Sequence, residues 1–369
     1  MLAYNLYRIA FADQLAEEEY TDISCPCENS PKLQANTNVS TNTLTNNTTV
    51  KRKFATDYMP IGIKLKEYSI NYLQIPAYKQ LDVQTDLVVC NNSTFEIKNA
   101  GKVIVGNSTN PESSIIVRSG STLHIENNGR LTVNDNCKVI IEKGATLSYD
   151  AGAIIQLLGN NAVLEIQGDL VLGNNAIFRF TYPNSASGYV KFSKPDYSQA
   201  PYNQIRVSGS GQTASVELRG ANKSDKILEV DQDLLQVVIS NGINTFKIEH
   251  GTVDFKFTNG MSYISSDANV RFFNAKFQGL PNNPNGQNSI SNVAVWGQQQ
   301  CQISNCEFDP KVGLIGNLFV NGNKLNVTNT RAWGGIRTQG RGLSLNNVTT
   351  PYLVAELANF NSIANNCQV

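Results

Sequence analysis

Short apolar runs recur about every eight residues between Thr94 and Phe180, with Gly, Asn or Asp in nearly every gap. Thr122-Leu123-His124-Ile125 returns 24 positions later as Thr146-Leu147-Ser148-Tyr149. Lys138-Val139-Ile140-Ile141 returns 25 positions later as Val163-Leu164-Glu165-Ile166. Three strands per repeat predict a three-sided, all-β solenoid whose strands stack in parallel at about 4.8 Å per rung. Alternation along each strand points Leu123 and Ile125 inward, and Thr122 and His124 outward. Each rung then adds aliphatics to one continuous core, at about 25 cal/mol for every Å² buried.

Charge and cysteine usage narrow the partners. Lys+Arg and Asp+Glu stand at 30 each in the 369 residues, so no global field attracts nucleic acid. No run approaches the roughly 18 apolar residues of a membrane helix, so membrane insertion is not expected. The seven Cys include no metal-type CxxC pair, and Cys25 and Cys27 are too close for an easy mutual disulfide. Cys137, Cys306 and Cys367 each follow an Asn beside a strand and read as small inward-facing residues, with sparse disulfides as the alternative in an exported protein. Met1 to Glu19 lacks a basic start and ends in three Glu, unlike a signal peptide. The expectation is a secreted or cell-surface protein whose leader is not in this chain.

Residues 1–20 carry Leu2, Leu6, Ile9 and Leu15 at helical spacing and predict an amphipathic helix able to cap the first rung. Residues 25–50 are rich in Asn, Thr and Ser and read as a linker. The chain thus divides into a capping segment over 1–80 and the solenoid over 81–369. Inserted loops are expected near 181–204 and 279–289.

Gln302-Ile303-Ser304-Asn305-Cys306-Glu307-Phe308, Leu325-Asn326-Val327-Thr328-Asn329-Thr330, Leu343-Ser344-Leu345-Asn346-Asn347-Val348 and Ile363-Ala364-Asn365-Asn366-Cys367 share one pattern, apolar-x-apolar-x-Asn-small. It resembles the repeats of right-handed parallel β-helices, those of the pectin-lyase-like superfamily and of β-helical stalks in bacterial surface and adhesin-type proteins. The resemblance covers about 290 residues. It implies a right-handed coil and an Asn side-chain ladder that satisfies backbone groups at the turns. A last repeat that stops at Val369 without a cap leads us to expect further domains or a partner over that end.

The candidates for chemistry are acidic. Glu229, Asp231 and Asp233 alternate along one strand, about 6.6 Å apart at i, i+2, and share a face. Asp254 follows Asp231 by 23 positions and is expected nearly above it, with Arg271 the next outward residue along. Crowded carboxylates suit a glycosidase acid–base pair, and the oxygens also suit Ca²⁺; no other cofactor or metal is indicated. Lys226, Lys247 and Lys256 make an ordinary solvated acidic face the competing reading. The only two histidines, His124 and His250, lie too far apart to share a site, and read as an outward residue and a turn residue. Of the motif blocks of polygalacturonase-like enzymes, only His250-Gly251 is present.

The candidates for binding are aromatic. Tyr182, Tyr189, Tyr197 and Tyr202 fall in the 181–204 loop, where flat rings suit sugar CH faces. Arg331, Trp333 and Arg337 combine a large ring with cations that suit an anionic sugar. Three functions follow: a non-catalytic extracellular stalk or adhesin segment that contacts a polysaccharide or surface glycan; a polysaccharide hydrolase or lyase; and an oligomeric, virus-tail-type β-helix.

Overall fold

A computed structural model describes residues 37–38, 43–44, 48–51, 68–107, 112–159, 161–181, 188–193, 203–231, 236–239, 242–256, 263–266, 269–279, 291–297, 301–310, 312–318, 325–340, 343–356 and 362–368. The expected helix over 1–20 lies outside these residues, as do Tyr182, Tyr197, Tyr202 and Asp233. Every described element is a strand, and all pair in parallel except Thr37–Asn38 with Thr43–Leu44. The chain is a parallel β-helix.

Three strand stacks form the sides. One runs Gln80–Gln84, Lys102–Val105, Arg130–Val133, Ile154–Leu157 and Phe180–Thr181. A second runs Ser114–Val117, Lys138–Ile141, Val163–Ile166, Tyr189–Ser193, Lys226–Asp231, Thr252–Lys256 and Lys276–Gly279. A third runs Tyr68–Ile75, Leu87–Ile97, Thr122–Ile125, Thr146–Tyr149, Asp169–Leu172 and Asn203–Val207. Thr122 sits beside Thr146 and Lys138 beside Val163, the register the repeats predict. Two boundaries differ from expectation. Tyr68–Ile75 already pairs as a rung, although it precedes residue 81. Tyr189–Ser193 is a rung strand inside the stretch expected to be a loop, so Tyr189 belongs to the wall of the coil.

Strand alternation sets the core. Leu123 and Ile125 are fully buried while Thr122 and His124 stay partly exposed. Aliphatics fill the early rungs, and phenylalanines take over further along. Phe246 meets Phe272 edge-on at 6.4 Å, Phe272 meets Phe277 at 4.9 Å, and Phe277 stacks on Phe308 at 4.5 Å.

In the later rungs, the corner after the stack Ile243–Glu249, Asn269–Phe273, Cys301–Ser304, Leu325–Ala332, Leu343–Thr349 and Ser362–Asn365 explains the apolar-x-apolar-x-Asn-small pattern. His250, Asn274, Asn305, Asn329, Asn347 and Asn366 occupy one corner line and all take positive φ, between 47 and 55°. Asn tolerates that left-handed conformation better than other residues with a Cβ. The His250, Asn274 and Asn305 backbone N–H groups each donate to the carbonyl at the strand end one rung on, at 3.0–3.1 Å. Side chains link the same line: Asn274 Nδ2 lies 2.9 Å from His250 Nδ1, and Asn347 Nδ2 donates to Asn329 Oδ1 at 2.9 Å. The asparagine ladder therefore joins side chain to side chain, while the backbone satisfies itself.

The next residue in each corner points inward and is small. Gly251, Ala275, Cys306, Thr330 and Val348 are buried there. Cys306 Sγ donates to the Ser304 carbonyl at 3.3 Å, as Thr330 Oγ1 does to that of Thr328 at 2.9 Å. The thiol stands in for a hydroxyl. Burial pushes the Cys306 thiol up to about 11, and raises that of Cys301 as well, so both are inert at neutral pH. Cys137 is also a fully buried core residue, and Cys367 is half-buried. Cys90 is disulfide-bonded to a partner outside the described residues.

The ladder makes a direct prediction. Asn329→Ala should cost about 1 kcal/mol, because alanine is strained at a φ of 47°, whereas Asn329→Gly should lose less. Urea midpoints of the two variants test this; equal losses would mean that the side-chain link, and not the backbone, matters at that corner.

Candidate functional site

The acidic strand is Lys226–Asp231, and its outward residues form a column with neighbouring rungs. In register order the column reads Glu165, Lys191, Glu229, Asp254, Gln278. Asp254 thus stacks on Glu229, and Asp231 is beside Lys256 instead. A bulge between Lys226 and Leu228 changes the rung offset, which simple counting could not foresee. Arg271 is not in this column: its strand, Asn269–Phe273, places it between Lys247 and Gln302.

Each described acid of the column is engaged by its own chain. Lys226 Nζ donates to Glu229 Oε2 at 2.6 Å, and Lys191 Nζ lies 3.9 Å from the other Glu229 oxygen. The Glu229 side chain is only 3% exposed although it points away from the core. Lys226 also sits 3.5 Å from the centre of the Tyr189 ring, a cation–π contact. Burial alone would lower the Lys226 ammonium; the hydrogen bond and charge of Glu229, helped by Tyr189, outweigh it and raise its pKa. Gln278 Nε2 donates to Asp254 Oδ1 at 2.5 Å, and Ser193 Oγ donates to Glu165 Oε1 at 2.5 Å. A carboxylate so covered and held by two ammonium groups offers no free face to a glycosidic oxygen.

Glu229→Gln should therefore cost about 2 kcal/mol, since it leaves two lysines facing a neutral amide, with partial relief because both ammonium groups reach solvent. Chemical denaturation measures the loss. A variant as stable as the parent would mean that this buried pair contributes nothing net.

A second polar ladder was not anticipated. On the third side, Tyr72 OH donates to Glu96 Oε2 at 2.9 Å, and Gln74 Nε2 donates to the same oxygen at 2.6 Å. Lys98 bridges Glu96 at 3.1 Å and Glu126 at 2.8 Å. His124 is outward as expected, but it is bonded: Nε2 lies 3.0 Å from Asp150 Oδ2 and Nδ1 3.9 Å from Glu96 Oε1. Burial alone would raise the Glu96 carboxyl; hydrogen bonds from Lys98, Tyr72 and Gln74 outweigh it and lower its pKa. The sequence signal was the rung-length offset that sets His124 beside Glu96 and, 26 residues further, brings Asp150 to His124.

The aromatic candidates separate. Tyr189 packs under Lys226 in the wall, as described. Arg331, Trp333 and Arg337 are all exposed, Trp333 by 42%. Two residues that the sequence reading missed join them, Tyr352 (43% exposed) and Val354 (38%). Tyr352 OH donates to the Gly334 carbonyl at 2.6 Å. Its ring lies over Gly335, where an added Cβ would meet ring carbons at 2.1–2.6 Å. Val354 pairs in register with Arg337. The missed signal is the Gly334-Gly335 step, which leaves room for a ring from the next rung.

Among the described residues, no group of three or more His, Cys, Asp or Glu is placed to hold a metal ion, and no helix is long and apolar enough to cross a membrane. Among the described residues, fold and surface define a parallel β-helix with two internally bonded polar columns and an exposed aromatic–guanidinium corner. No family model and no curated protein sequence matches the chain. Among solved structures it is similar to the crystal structure of the TibC-catalyzed hyper-glycosylated TibA55-350 fragment, at 12% identity and a TM-score of 0.30, covering 80% of this chain and 97% of that one.

Proposed function

We propose that the chain is a non-catalytic β-helical segment displayed outside the cell, a rigid stalk that contacts carbohydrate at its exposed aromatic corner. The observation that carries this reading is the condition of the acidic column. Glu229 is covered and ion-paired, and Asp254 is bonded to Gln278, so these two of the candidate acids serve the wall. The disulfide at Cys90 supports an oxidising compartment. The exposed Trp333 and Tyr352 support a surface that meets a ligand.

The test incubates the purified chain with neutral and acidic polysaccharides and follows both shortening of the polymer and retention of the protein. Retention without shortening is the expected result. Shortening that disappears in Asp254→Asn would overturn the non-catalytic reading.

A further inference from the structure

We infer that the corner formed by Arg331, Trp333, Gly335, Arg337 and Tyr352 is a binding site for an anionic saccharide, one carrying carboxylate or sulfate groups. The inference rests on the carbohydrate-contacting reading above and adds the class of ligand and the residues that select it.

Two features make the corner a built platform. First, Tyr352 is fixed at the hydroxyl end of its ring: the hydroxyl is tied to the Gly334 carbonyl, and the ring carbons beside it lie against Gly335. Gly335 has a φ of 88° and no Cβ, so the backbone gives the ring a seat that other residues would fill. A ring held in place while 43% exposed loses little freedom when a ligand covers it. Second, Trp333 stands beside this seat, one residue before Gly334, and is equally exposed. Two large rings from successive rungs offer stacking surface to the CH faces of consecutive sugars.

Charge selects the ligand. Arg331 and Trp333 lie two apart in the strand Leu325–Ala332 and its continuation, so both face outward. The carboxylate in register with Arg331 is Glu307, and Glu307 is already held by Lys223 at 3.8 Å. The Arg331 charge is thereby left without an ion-pair partner among the described residues. Arg337 is exposed on the other side of the glycine step. A guanidinium presents a planar fork that matches carboxylate and sulfate oxygens, which a neutral sugar lacks.

The experiment measures retention of the full chain on polygalacturonate, dextran sulfate and unmodified dextran, at low and at moderate salt. Both acidic polymers, or one of them, should bind well above dextran, and binding should weaken with salt. Arg331→Gln should reduce acidic-polymer affinity about tenfold or more, the effect of losing a charge-assisted contact. Gly335→Ala should reduce it similarly by unseating Tyr352, and Tyr78→Ala, at an exposed residue in a different region, should leave it unchanged. Circular dichroism and melting confirm that each variant folds; Arg331→Gln touches only an exposed side chain and keeps the test informative if Gly335→Ala does not fold. Equal retention on dextran and the acidic polymers would overturn the anionic assignment and leave the carbohydrate reading standing. No retention on any polymer would overturn both. Strong acidic binding unchanged in Arg331→Gln and Trp333→Ala would place the site elsewhere and overturn this inference.

Discussion

Replacing Phe277 by alanine is expected to cost about 4 kcal/mol, the largest single loss anticipated for this chain. The ring is fully buried, lies 4.9 Å from Phe272 in its own rung and stacks at 4.5 Å on Phe308 of the next, so its removal strips contacts within one rung and between two. The loss should also be local. A solenoid is stabilised mainly between nearest neighbours, so damage at one rung frays the rungs beside it before reaching distant ones. Hydrogen exchange should show faster opening at Thr252–Lys256, Lys276–Gly279 and Glu307–Phe308. The amides of Thr122–Ile125 and Thr146–Tyr149 should keep their protection. Uniform loss of protection along the chain would mean that the coil unfolds as one unit.

Above pH 10 the protein should lose about 3 kcal/mol of stability through Tyr149 alone. Desolvation by burial pushes this phenol from its ordinary 10.0 up to about 12, against weaker opposing effects of Arg179. The ring is 1% exposed, meets Phe178 edge-on at 5.3 Å, and donates its hydroxyl hydrogen to the Ala153 carbonyl. The sign follows from proton counting. Between pH 10 and 12 the folded chain keeps the phenolic proton that the unfolded chain releases, so the unfolded state gains relative stability as pH rises. The contribution is complete below 10 and gone above about 12. Tyr149→Phe should flatten this part of the curve, at a cost of about 1 kcal/mol near neutrality for the lost hydrogen bond. An alkaline limb unchanged in Tyr149→Phe would assign the loss to other groups.

The coil was legible because its grammar is local. An inward Leu or Ile every second residue, and a turn residue after each short run, fix strand length and face without any knowledge of distant contacts. The pairing of Thr122 with Thr146 could be read directly from the 24-residue return. The acidic column was legible only as a composition. Asp254 lies over Glu229 because a bulge at Lys226 alters the offset, and bulges leave little trace in one sequence. The burial of the Glu229 carboxylate was hidden for a different reason: alternation assigns a residue to the outer face and says nothing about Lys191, Lys226 and Tyr189 closing over it. Half of the aromatic corner was visible as Trp333 and its arginines. Tyr352 was not, because it reaches Gly335 from a neighbouring rung 17 positions away.

The corner lines of left-handed residues have a consequence for how such a molecule can change. Rung-to-rung contacts commonly span 24 positions, as between Asp254 and Gln278, yet the contact of Asn174 with Thr213 spans 39. The number of residues between two stacked corner positions therefore varies, while the contact at the corner is kept. What each corner demands is a backbone angle and a height, and the number of residues spent in between is free. A lineage built this way can acquire new surface by lengthening one excursion at a time, while the frame that bears load keeps its pitch.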